Sequence, residues 1–219
     1  MVDMSMLSAT RLFQGLPPDA VAAVAAGAAV RRLRRHDVMF EEGDPASELF
    51  LVQEGRIAIA NKSSDGRESV VALMEPGDLF GEISLFDGLG RSAAARALED
   101  STLLAVPFDD VRRTFDADPT LLWRVVELLA TRLRTTDEAL ADSVFLDVPG
   151  RTAKRLLELA GDGDQFQLPV TQEELAGMVG ASRERVNKAI SAFVRLGWLE
   201  QRERRYRIVD REQLSRRSQ

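Results

Sequence analysis

Glycine recurs about every eleven residues between Gly43 and Gly88, and this spacing constrains the fold of the chain more than any other feature. Apolar runs lie between these glycines, for example at residues 49–52, 56–60 and 69–74. Short alternating runs bounded by turn residues are typical of antiparallel strands that close into a small barrel or sandwich. Residues 31–108 therefore predict a jelly-roll-like β-roll, a fold that can hold a ligand in its mouth.

A second periodicity, with steps of three and four residues, extends from Pro119 to Val144 and predicts one long helix. Its seam consists of Leu122, Val125, Leu129, Leu133, Thr136, Leu140 and Val144. A stripe this narrow is typical of a coiled coil, so we predict a parallel homodimer along it. A helix packed only on its own β-roll is the alternative. A Pro-Gly pair at 149–150 cannot continue the helix, which places a hinge there.

The segment at residues 78–97 interrupts the strand pattern and has the composition of a phosphate site. Gly81 lets the backbone come close to a ligand, and the Glu82 carboxylate is an acceptor that suits a ribose hydroxyl group. Arg91 and Ser92 supply a planar cation, a hydroxyl group and consecutive backbone N–H groups, which together suit a phosphate. The segment predicts a site for a nucleotide monophosphate; an ordinary turn with a surface salt bridge is the alternative.

The C-terminal part contains two helices separated by a tight turn. The first begins with Thr-Gln-Glu-Glu at 171–174, the sequence of a capping box. Gly180 can adopt a positive φ, and Ser182 can cap the second helix. This order is the signature of a helix-turn-helix, and two apolar runs joined by a basic turn at 202–205 predict a β-wing behind it.

The distribution of charge also divides the chain. Residues 147–219 hold 14 Lys and Arg against 11 Asp and Glu, whereas the first 146 residues hold 15 against 24, which suggests two modules with different partners. The absence of cysteine excludes disulfides, thiolate metal sites and Fe–S ligation, and we expect no metal site. No apolar run could span a bilayer and the start lacks a signal peptide, so we expect a cytoplasmic protein without a membrane partner.

The chain resembles the cAMP receptor protein (CRP/FNR) family of bacterial regulators in two motifs near its opposite ends. The phosphate-binding cassette of that family resembles Phe-Gly-Glu at 80–82, Leu-Phe at 85–86 and Arg-Ser-Ala at 91–93, and its recognition helix resembles residues 182–188. The resemblance implies an α+β fold in three parts. These are a cyclic-nucleotide-binding β-roll domain at 1–117, a dimerisation helix with a hinge at 118–146, and a winged helix-turn-helix domain at 147–219.

The resemblance implies a cyclic nucleotide as the allosteric ligand, with cAMP as the prediction and no further cofactor. The residues assigned to this ligand are Gly81, Glu82, Ile83, Ser84, Arg91, Ser92, Ala93, Thr136 and Asp137. In the family, the last two positions reach the base, one from each subunit, and the best-known members have a small neutral side chain at the position of Asp137. A carboxylate there can accept hydrogen bonds from adenine or from guanine, so cGMP is a second possibility, as is an Asp137 that faces solvent.

Double-stranded DNA is the implied macromolecular partner, read at palindromic sites with half-sites of the TGTGA type, and RNA polymerase is a further expected partner. The residues assigned to DNA are Thr171, Ser182, Arg183, Glu184, Asn187, Lys188, Arg202 and Arg204. An arginine matches guanine O6 and N7, and a glutamate can accept from cytosine N4. Lys188 occupies a position where some relatives have arginine. For the two wing arginines, a solvated turn is the alternative to phosphate contact.

The sequence therefore predicts a homodimeric transcription regulator in which a bound cyclic nucleotide shifts the hinge and sets two recognition helices about one DNA turn apart. An enzyme is not expected, because the sequence has no nucleophile–base pair, metal cluster or Walker-type loop. The alternatives are a similar regulator that responds to cGMP, one that is active without nucleotide, and a cyclic-nucleotide-binding regulatory subunit of an enzyme or channel.

Overall fold

The computed structural model describes residues 4–62, 68–168 and 170–219. These residues form two compact units. The first contains the described residues up to 62 together with Val70–Leu133, and the second contains residues 68–69 together with Arg134–Gln219. The predicted domain boundaries at 117 and 146 stay predictions. None of the helices in the described ranges is both long enough and apolar enough to cross a membrane.

Eight strands of the described chain form the β-roll that the glycine spacing predicts. They are β1 (Ala29–Leu33), β2 (Val38–Phe40), β3 (Glu48–Glu54), β4 (Ile57–Lys62), β5 (Glu68–Met74), β6 (Leu79–Phe80), β7 (Ala94–Ala97) and β8 (Ser101–Pro107). One sheet has the strand order β1-β8-β3-β6, and the other has the order β2-β7-β4-β5. In the first sheet, β8 pairs antiparallel with both β1 and β3, so distant parts of the sequence are neighbours.

The two sheets enclose an apolar core because alternate side chains of their strands point inward. Phe50 and Val52 of β3 pack there with Ile57 of β4, Phe80 of β6 and Leu103 of β8. The rings of Phe50 and Phe80 lie 5.4 Å apart between their centroids. Large apolar side chains on the inward faces of short strands therefore pack the two sheets against each other.

The other face of the β1-β8-β3-β6 sheet is covered by helices. These are α1 (Met4–Ala9), α2 (Pro18–Ala25), α4 (Phe108–Ala117) and the first part of α5 (Leu122–Phe145), whereas α3 (Ile83–Asp87) lies in the segment after β6. Helix α4 was not predicted from the sequence. Its buried residues Phe108, Val111 and Phe115 have helical spacing and pack against Leu49 of β3, so the signal was present but too short to separate from the preceding strand.

Helix α5 begins at Leu122, after a short 3-10 helix at Pro119–Leu121, and not at the predicted Pro119. It ends at Phe145, one residue beyond the predicted Val144, and it differs from the predicted seam at one position. Val125 is only 6% exposed and packs in the same cluster as α2 and α4, so its assignment to the seam is wrong. The neighbouring Val126 is 52% exposed instead. The exposed apolar stripe consists of Leu122, Val126, Leu129, Leu133, Leu140 and Val144. Because the buried and exposed faces are both apolar near the start of α5, sequence periodicity alone could not separate them.

The second unit contains the helix-turn-helix and its wing. After α5 come α6 (Val148–Ala160), β9 (Gln165–Gln167), α7 (Gln172–Val179), α8 (Arg183–Arg195), β10 (Leu199–Arg202), β11 (Arg205–Ile208) and α9 (Arg211–Arg217). The three strands form a sheet with the order β10-β11-β9. The predicted α+β class, with a long helix between a β-roll and a winged helix-turn-helix, is confirmed; α9 was not predicted.

Asp147 forms the break between α5 and α6. Its side chain accepts a hydrogen bond from the Gly150 N–H group at 2.9 Å, which caps α6, and it also pairs with Arg217 of α9. Although its partial burial acts in the opposite direction, the Gly150 N–H group and Arg217 hold the pKa of Asp147 below its usual value. The break is therefore a capped junction, tied to the C-terminal helix by an ion pair.

Candidate ligand pocket and nucleic-acid interface

The predicted phosphate segment folds as a turn after β6, then α3, and then a loop that leads into β7. Gly81 in the turn has a φ of +78°, a conformation that favours glycine. A Cβ atom at this position would also lie only 2.7 Å from Nη1 of Arg91. The same Nη1 donates a hydrogen bond to the carbonyl oxygen of Gly81 at 2.9 Å. The two halves of the segment, ten residues apart in sequence, are thus in direct contact.

Arg91 is a buried cation whose Nε–H group does not donate to any described residue. It is 6% exposed, its Nη2 donates to the carbonyl oxygen of Glu48 at 2.8 Å, and its Cζ lies 4.2 Å from the ring centroid of Phe40. Its Nε has no hydrogen-bond partner within the described ranges. Burial lowers the pKa of Arg91 from its ordinary value, and nearby carboxylates, foremost Glu48, act against that shift. Since arginine stays charged in proteins, this group can bind an anion.

Glu82 is the buried acid of the segment. Its side chain is inaccessible to solvent, and this burial raises the pKa of Glu82 above its ordinary value, while Arg132 opposes the shift. The carboxylate forms an ion pair with Arg132. Neither carboxylate oxygen receives a well-directed hydrogen bond from a residue that the structure describes. A buried acid with unused acceptor capacity is costly, so this geometry suits a ligand that brings hydroxyl donors.

Arg132 is a candidate ligand residue that the sequence analysis did not identify. It lies on α5, pairs with Glu82, and donates from Nη2 to the carbonyl oxygen of Leu79 at 2.9 Å. The one available signal was its spacing of four residues from Thr136, which places both side chains on one face of the helix. Since basic residues are common on long helices, that signal alone could not single it out.

The other predicted residues of the segment differ in exposure. Ile83 is half-buried at the first position of α3, and Ala93 is buried. Ser84 is buried, and its hydroxyl group donates to the carbonyl oxygen of Gly90 at 3.1 Å, so it holds the loop ahead of Arg91. Ser92 is exposed, and a ligand can therefore reach its hydroxyl group.

Seven of the nine predicted ligand residues belong to one unit, whereas Thr136 and Asp137 belong to the other. Both lie on α5 and are exposed. Their predicted contact with a base stays a prediction. Across the part of the chain that the structure describes, no group of three or more His, Cys, Asp or Glu side chains could hold a metal ion.

We expect the Glu82→Gln variant to lose nucleotide affinity without losing stability. The amide removes the charge that burial disfavours, so the melting temperature at neutral pH should be unchanged or higher. Because the folded-state pKa of Glu82 is raised, this gain is present above that pKa and disappears as the pH falls towards the ordinary carboxyl value. Nucleotide affinity should fall roughly 10- to 100-fold, since the amide is a weaker acceptor.

Calorimetric titration and thermal melts between pH 4 and 8 check this expectation. The Glu99→Gln variant serves as a control, because Glu99 is an exposed acid of the same unit. It should change neither nucleotide affinity nor the pH dependence. A Glu82→Gln protein that melts earlier than the parent at neutral pH would contradict the assignment of a destabilising buried charge.

In the second unit, both helices of the helix-turn-helix begin with side-chain caps. Thr171 Oγ1 accepts from the Glu174 N–H group at 3.2 Å, and Glu174 Oε2 accepts from the Thr171 N–H group at 2.7 Å, which is the predicted capping box. Gly180 has a φ of +67° in the turn. Ser182 Oγ then accepts from the Arg185 N–H group at 3.4 Å and caps α8. These caps fix where α8 begins.

Helix α8 presents charged groups at its N-terminal end. Its inward face is held by Val186, Ala189, Ile190 and Phe193. Arg183, Glu184 and Lys188 are exposed, whereas Asn187 is half-buried with an Oδ1 that has no partner within the described ranges. A free acid between cations near a helix start is suited to reading base edges, because carboxylates and guanidinium groups match different bases.

The two predicted arginines of the wing differ in their contacts. Arg202 is exposed at the end of β10. Arg204 donates from Nη2 to the carbonyl oxygens of Leu168 at 3.2 Å and Val170 at 3.4 Å, so it ties the wing to the segment ahead of α7. Together with Arg183 it lines a concavity of about 280 Å³. The structural role of Arg204 was not predicted, and contact of either arginine with phosphate stays a prediction.

A β-roll with a buried acid and cation, followed by a helix-turn-helix with exposed charged groups at the start of its second helix, is typical of a ligand-responsive DNA-binding regulator. Two family models match the chain, the cyclic nucleotide-binding domain at residues 30–118 and the Crp-like helix-turn-helix domain at residues 150–217. A "CRP-like cAMP-activated global transcriptional regulator" of Mycobacterium tuberculosis is 36% identical over 220 residues, covering 97% of this chain and 98% of that protein. The chain belongs to the CRP/FNR family of transcription regulators.

Solved structures agree with this assignment. FixK2 from Bradyrhizobium japonicum has a TM-score of 0.79 at 23% identity, covering 88% of this chain and 98% of that one, which shows the shared fold. The "c-di-GMP Responsive Global Regulator CLP" of Xanthomonas campestris has a TM-score of 0.75 at 25% identity, with coverage of 88% and 99%. The chain is thus a cyclic-nucleotide-responsive DNA-binding transcription regulator, of a family that comprises regulators and not enzymes.

Proposed function

We propose that this regulator is a homodimer whose affinity for palindromic DNA is raised by cAMP. The observation that carries the proposal is the pair of Glu82 and Arg91. Both are buried, and within the described residues the carboxylate oxygens of Glu82 and the Nε of Arg91 have no well-directed hydrogen-bond partner. A cyclic nucleotide supplies what each lacks, because its ribose hydroxyl group can donate to the acid and its phosphate can accept from the cation. The relative from Mycobacterium tuberculosis, described as cAMP-activated, supports cAMP over other nucleotides.

In the proposed complex, the cassette contacts the sugar phosphate. Arg91 and the accessible Ser92 hold the phosphate, Glu82 holds the ribose hydroxyl group, and Arg132 stays beside the acid as its counter-ion. Gly81 allows close approach of the backbone. The small side chain of Ala93 and the apolar Ile83 leave room beside the ribose.

The base is the part of the ligand for which a second candidate exists. We propose that Thr136 and Asp137 contact the base, one from each subunit, and link the ligand to the hinge near 147–150. A carboxylate at position 137 can accept from the exocyclic amine of adenine, or from the N1–H and N2–H groups of guanine. The carboxylate of Asp137 therefore makes cGMP the second candidate.

Calorimetric titration of the nucleotide-free dimer with cAMP and then with cGMP tests this proposal. We expect saturable binding of cAMP, and a cAMP-dependent rise in affinity for a palindromic duplex with TGTGA-type half-sites. Tighter binding of cGMP would overturn cAMP as the effector and make Asp137 the selecting residue. Absence of binding with both nucleotides would overturn cAMP and cGMP as effectors, while the DNA-binding half of the proposal would still stand.

The exposed stripe of α5 supports dimer formation. Leu133 is 61% exposed and Leu140 is 63% exposed. Exposed leucines in a narrow seam are typical of a helix that packs against the same helix of a second copy of the chain. A two-fold dimer presents two copies of α8, which matches a palindromic site. RNA polymerase is the further partner expected of such a regulator.

We expect the Leu133→Asp variant to convert the dimer to a monomer. An aspartate near the middle of the stripe would place two carboxylates in an apolar interface, whereas the fold of the single chain would not bury it. Light scattering after size exclusion should report about 24.2 kDa instead of twice that mass. Leu89→Asp is the matched control, because Leu89 is 70% exposed and lies outside α5. A Leu133→Asp protein that remains dimeric would refute the seam.

A further inference from the structure

Arg151 contacts the ends of two different helices. Its Nη1 donates to the carbonyl oxygen of Leu146, directly after α5, at 2.6 Å. Its Nε donates to the carbonyl oxygen of Val179, the last residue of α7, at 2.8 Å. Its Nη2 lies 3.5 Å from the carbonyl oxygen of Gly180, in the turn that precedes α8. One guanidinium group therefore joins the break after α5 to the turn of the helix-turn-helix.

These acceptors are carbonyl groups that a helix cannot satisfy by itself. The last four carbonyl groups of a helix have no N–H partner within it, and they carry the negative end of its dipole. A cation that donates to them is bound by charge-assisted hydrogen bonds. The planar guanidinium group carries its N–H donors on three separate nitrogens, so it can reach two helix ends at once, whereas lysine must donate from a single nitrogen.

Among the described residues, the neighbouring basic residues of α6 each contact one of these helices. Lys154 pairs with Asp142 of α5. Arg155 lies 3.5 Å from the carbonyl oxygen of Met178 in α7 and pairs with Glu158 of its own helix. Arg151 thus differs from both by bridging α5 and α7, and Arg155 offers a matched comparison on the same face of the same helix.

We propose that Arg151 is a positioning residue for DNA reading, which fixes the end of the dimerisation helix to the turn ahead of the recognition helix. The Gly180 carbonyl is two residues before Ser182, the cap of α8, so a displacement of the turn moves the start of α8. Arg183 and Glu184 would then leave the register in which two half-sites are read together. The effect of Arg151 on cAMP-dependent DNA binding rests on the proposed function. The bridge from Arg151 to Leu146 and Val179 does not.

The test compares the full-length Arg151→Gln, Arg151→Lys and Arg155→Gln variants. Calorimetry gives cAMP affinity, fluorescence anisotropy gives affinity for a palindromic TGTGA-type duplex at saturating cAMP, and hydrogen exchange reports peptides covering 143–150 and 177–184. For Arg151→Gln we expect cAMP affinity within about twofold of the parent and duplex affinity lower by roughly tenfold or more. Exchange should accelerate in both peptides.

The controls separate the bridge from a general loss of charge or stability. Arg155→Gln should keep duplex affinity within about threefold and change exchange only in the peptide covering 177–184. Arg151→Lys keeps the positive charge, so it controls for a loss of folding that is caused by removing the charge. Its loss of duplex affinity should lie between those of Arg151→Gln and Arg155→Gln. Parental duplex affinity in Arg151→Gln, or faster exchange in only one peptide, would overturn the inference.

The design also separates this inference from the proposed function. A parent protein that shows no cAMP binding would refute cAMP control, while the exchange of the two peptides would still decide whether Arg151 joins α5 to the turn. Normal cAMP control in the parent, combined with unchanged exchange in Arg151→Gln, would refute the bridge alone.

Discussion

The Arg91→Gln variant should lose cAMP binding and, with it, the cAMP-dependent rise in DNA affinity. Removing one partner of a buried, hydrogen-bonded charge pair costs about 2–5 kcal/mol, which corresponds to a loss of roughly 30- to 4,000-fold in nucleotide affinity. The expected magnitude is large because Arg91 is 6% exposed, so water cannot replace it at the phosphate. Calorimetry with cAMP and anisotropy with the palindromic duplex measure the two effects.

Two further variants test whether the loss of cAMP binding in Arg91→Gln is caused by unfolding. Arg91 also holds the carbonyl oxygens of Gly81 and Glu48, so its replacement can loosen the cassette. Ser92→Ala changes only an exposed hydroxyl group and should weaken cAMP roughly 3- to 10-fold with an unchanged melting temperature. Arg32→Gln removes an exposed cation from β1 and should have no effect. Unchanged duplex affinity of Arg91→Gln at saturating cAMP would refute the coupling.

The Arg183→Ala variant should lose specific DNA binding while it keeps cAMP binding. A bidentate contact between arginine and guanine contributes about 1–3 kcal/mol of discrimination. Because a dimer reads two half-sites, the loss is about 2–6 kcal/mol, so the affinity for a palindromic duplex should fall by about 30-fold or more. The loss should be confined to specific binding, since the exposed cations of the wing remain available for phosphates.

A control variant that removes the same charge elsewhere on α8, and a duplex in which one base is replaced, test whether Arg183 reads a base. Arg195→Ala removes the same charge from the C-terminal end of α8, and it should lower affinity only slightly and equally for all sequences. Replacing the guanine that Arg183 reads should weaken the parent but not the variant. If Arg183→Ala still distinguishes the altered duplex as strongly as the parent does, Arg183 is not the residue that reads this base.

The order of modules could be predicted from the sequence because each depends on local chemistry. Glycines between alternating runs produce antiparallel strands, and the capping box at Thr171 with a positive φ at Gly180 produces a helix-turn-helix. Gly81, Glu82 and Arg91 were recognised together because they lie within eleven residues of one another. These features act over short distances, so a single sequence contains most of the information that they need.

Contacts between distant segments were decided only by the tertiary structure. The pairing of Glu82 with Arg132, and the bridge from Arg151 to Leu146 and Val179, join residues whose separation in sequence carries no signal. Val125 was misassigned because both faces of α5 are apolar near the start of the helix.

The sequence by itself therefore determined which elements form and which chemical groups they carry, since propensity, capping and turn geometry are local. The fold decided which of those groups are buried together and which carbonyl groups a long side chain can reach. Burial of Glu82 and Arg91, with hydrogen-bonding capacity left unused, depends on sheets that pair residues far apart in the chain. That packing turns a polar turn into a candidate ligand pocket.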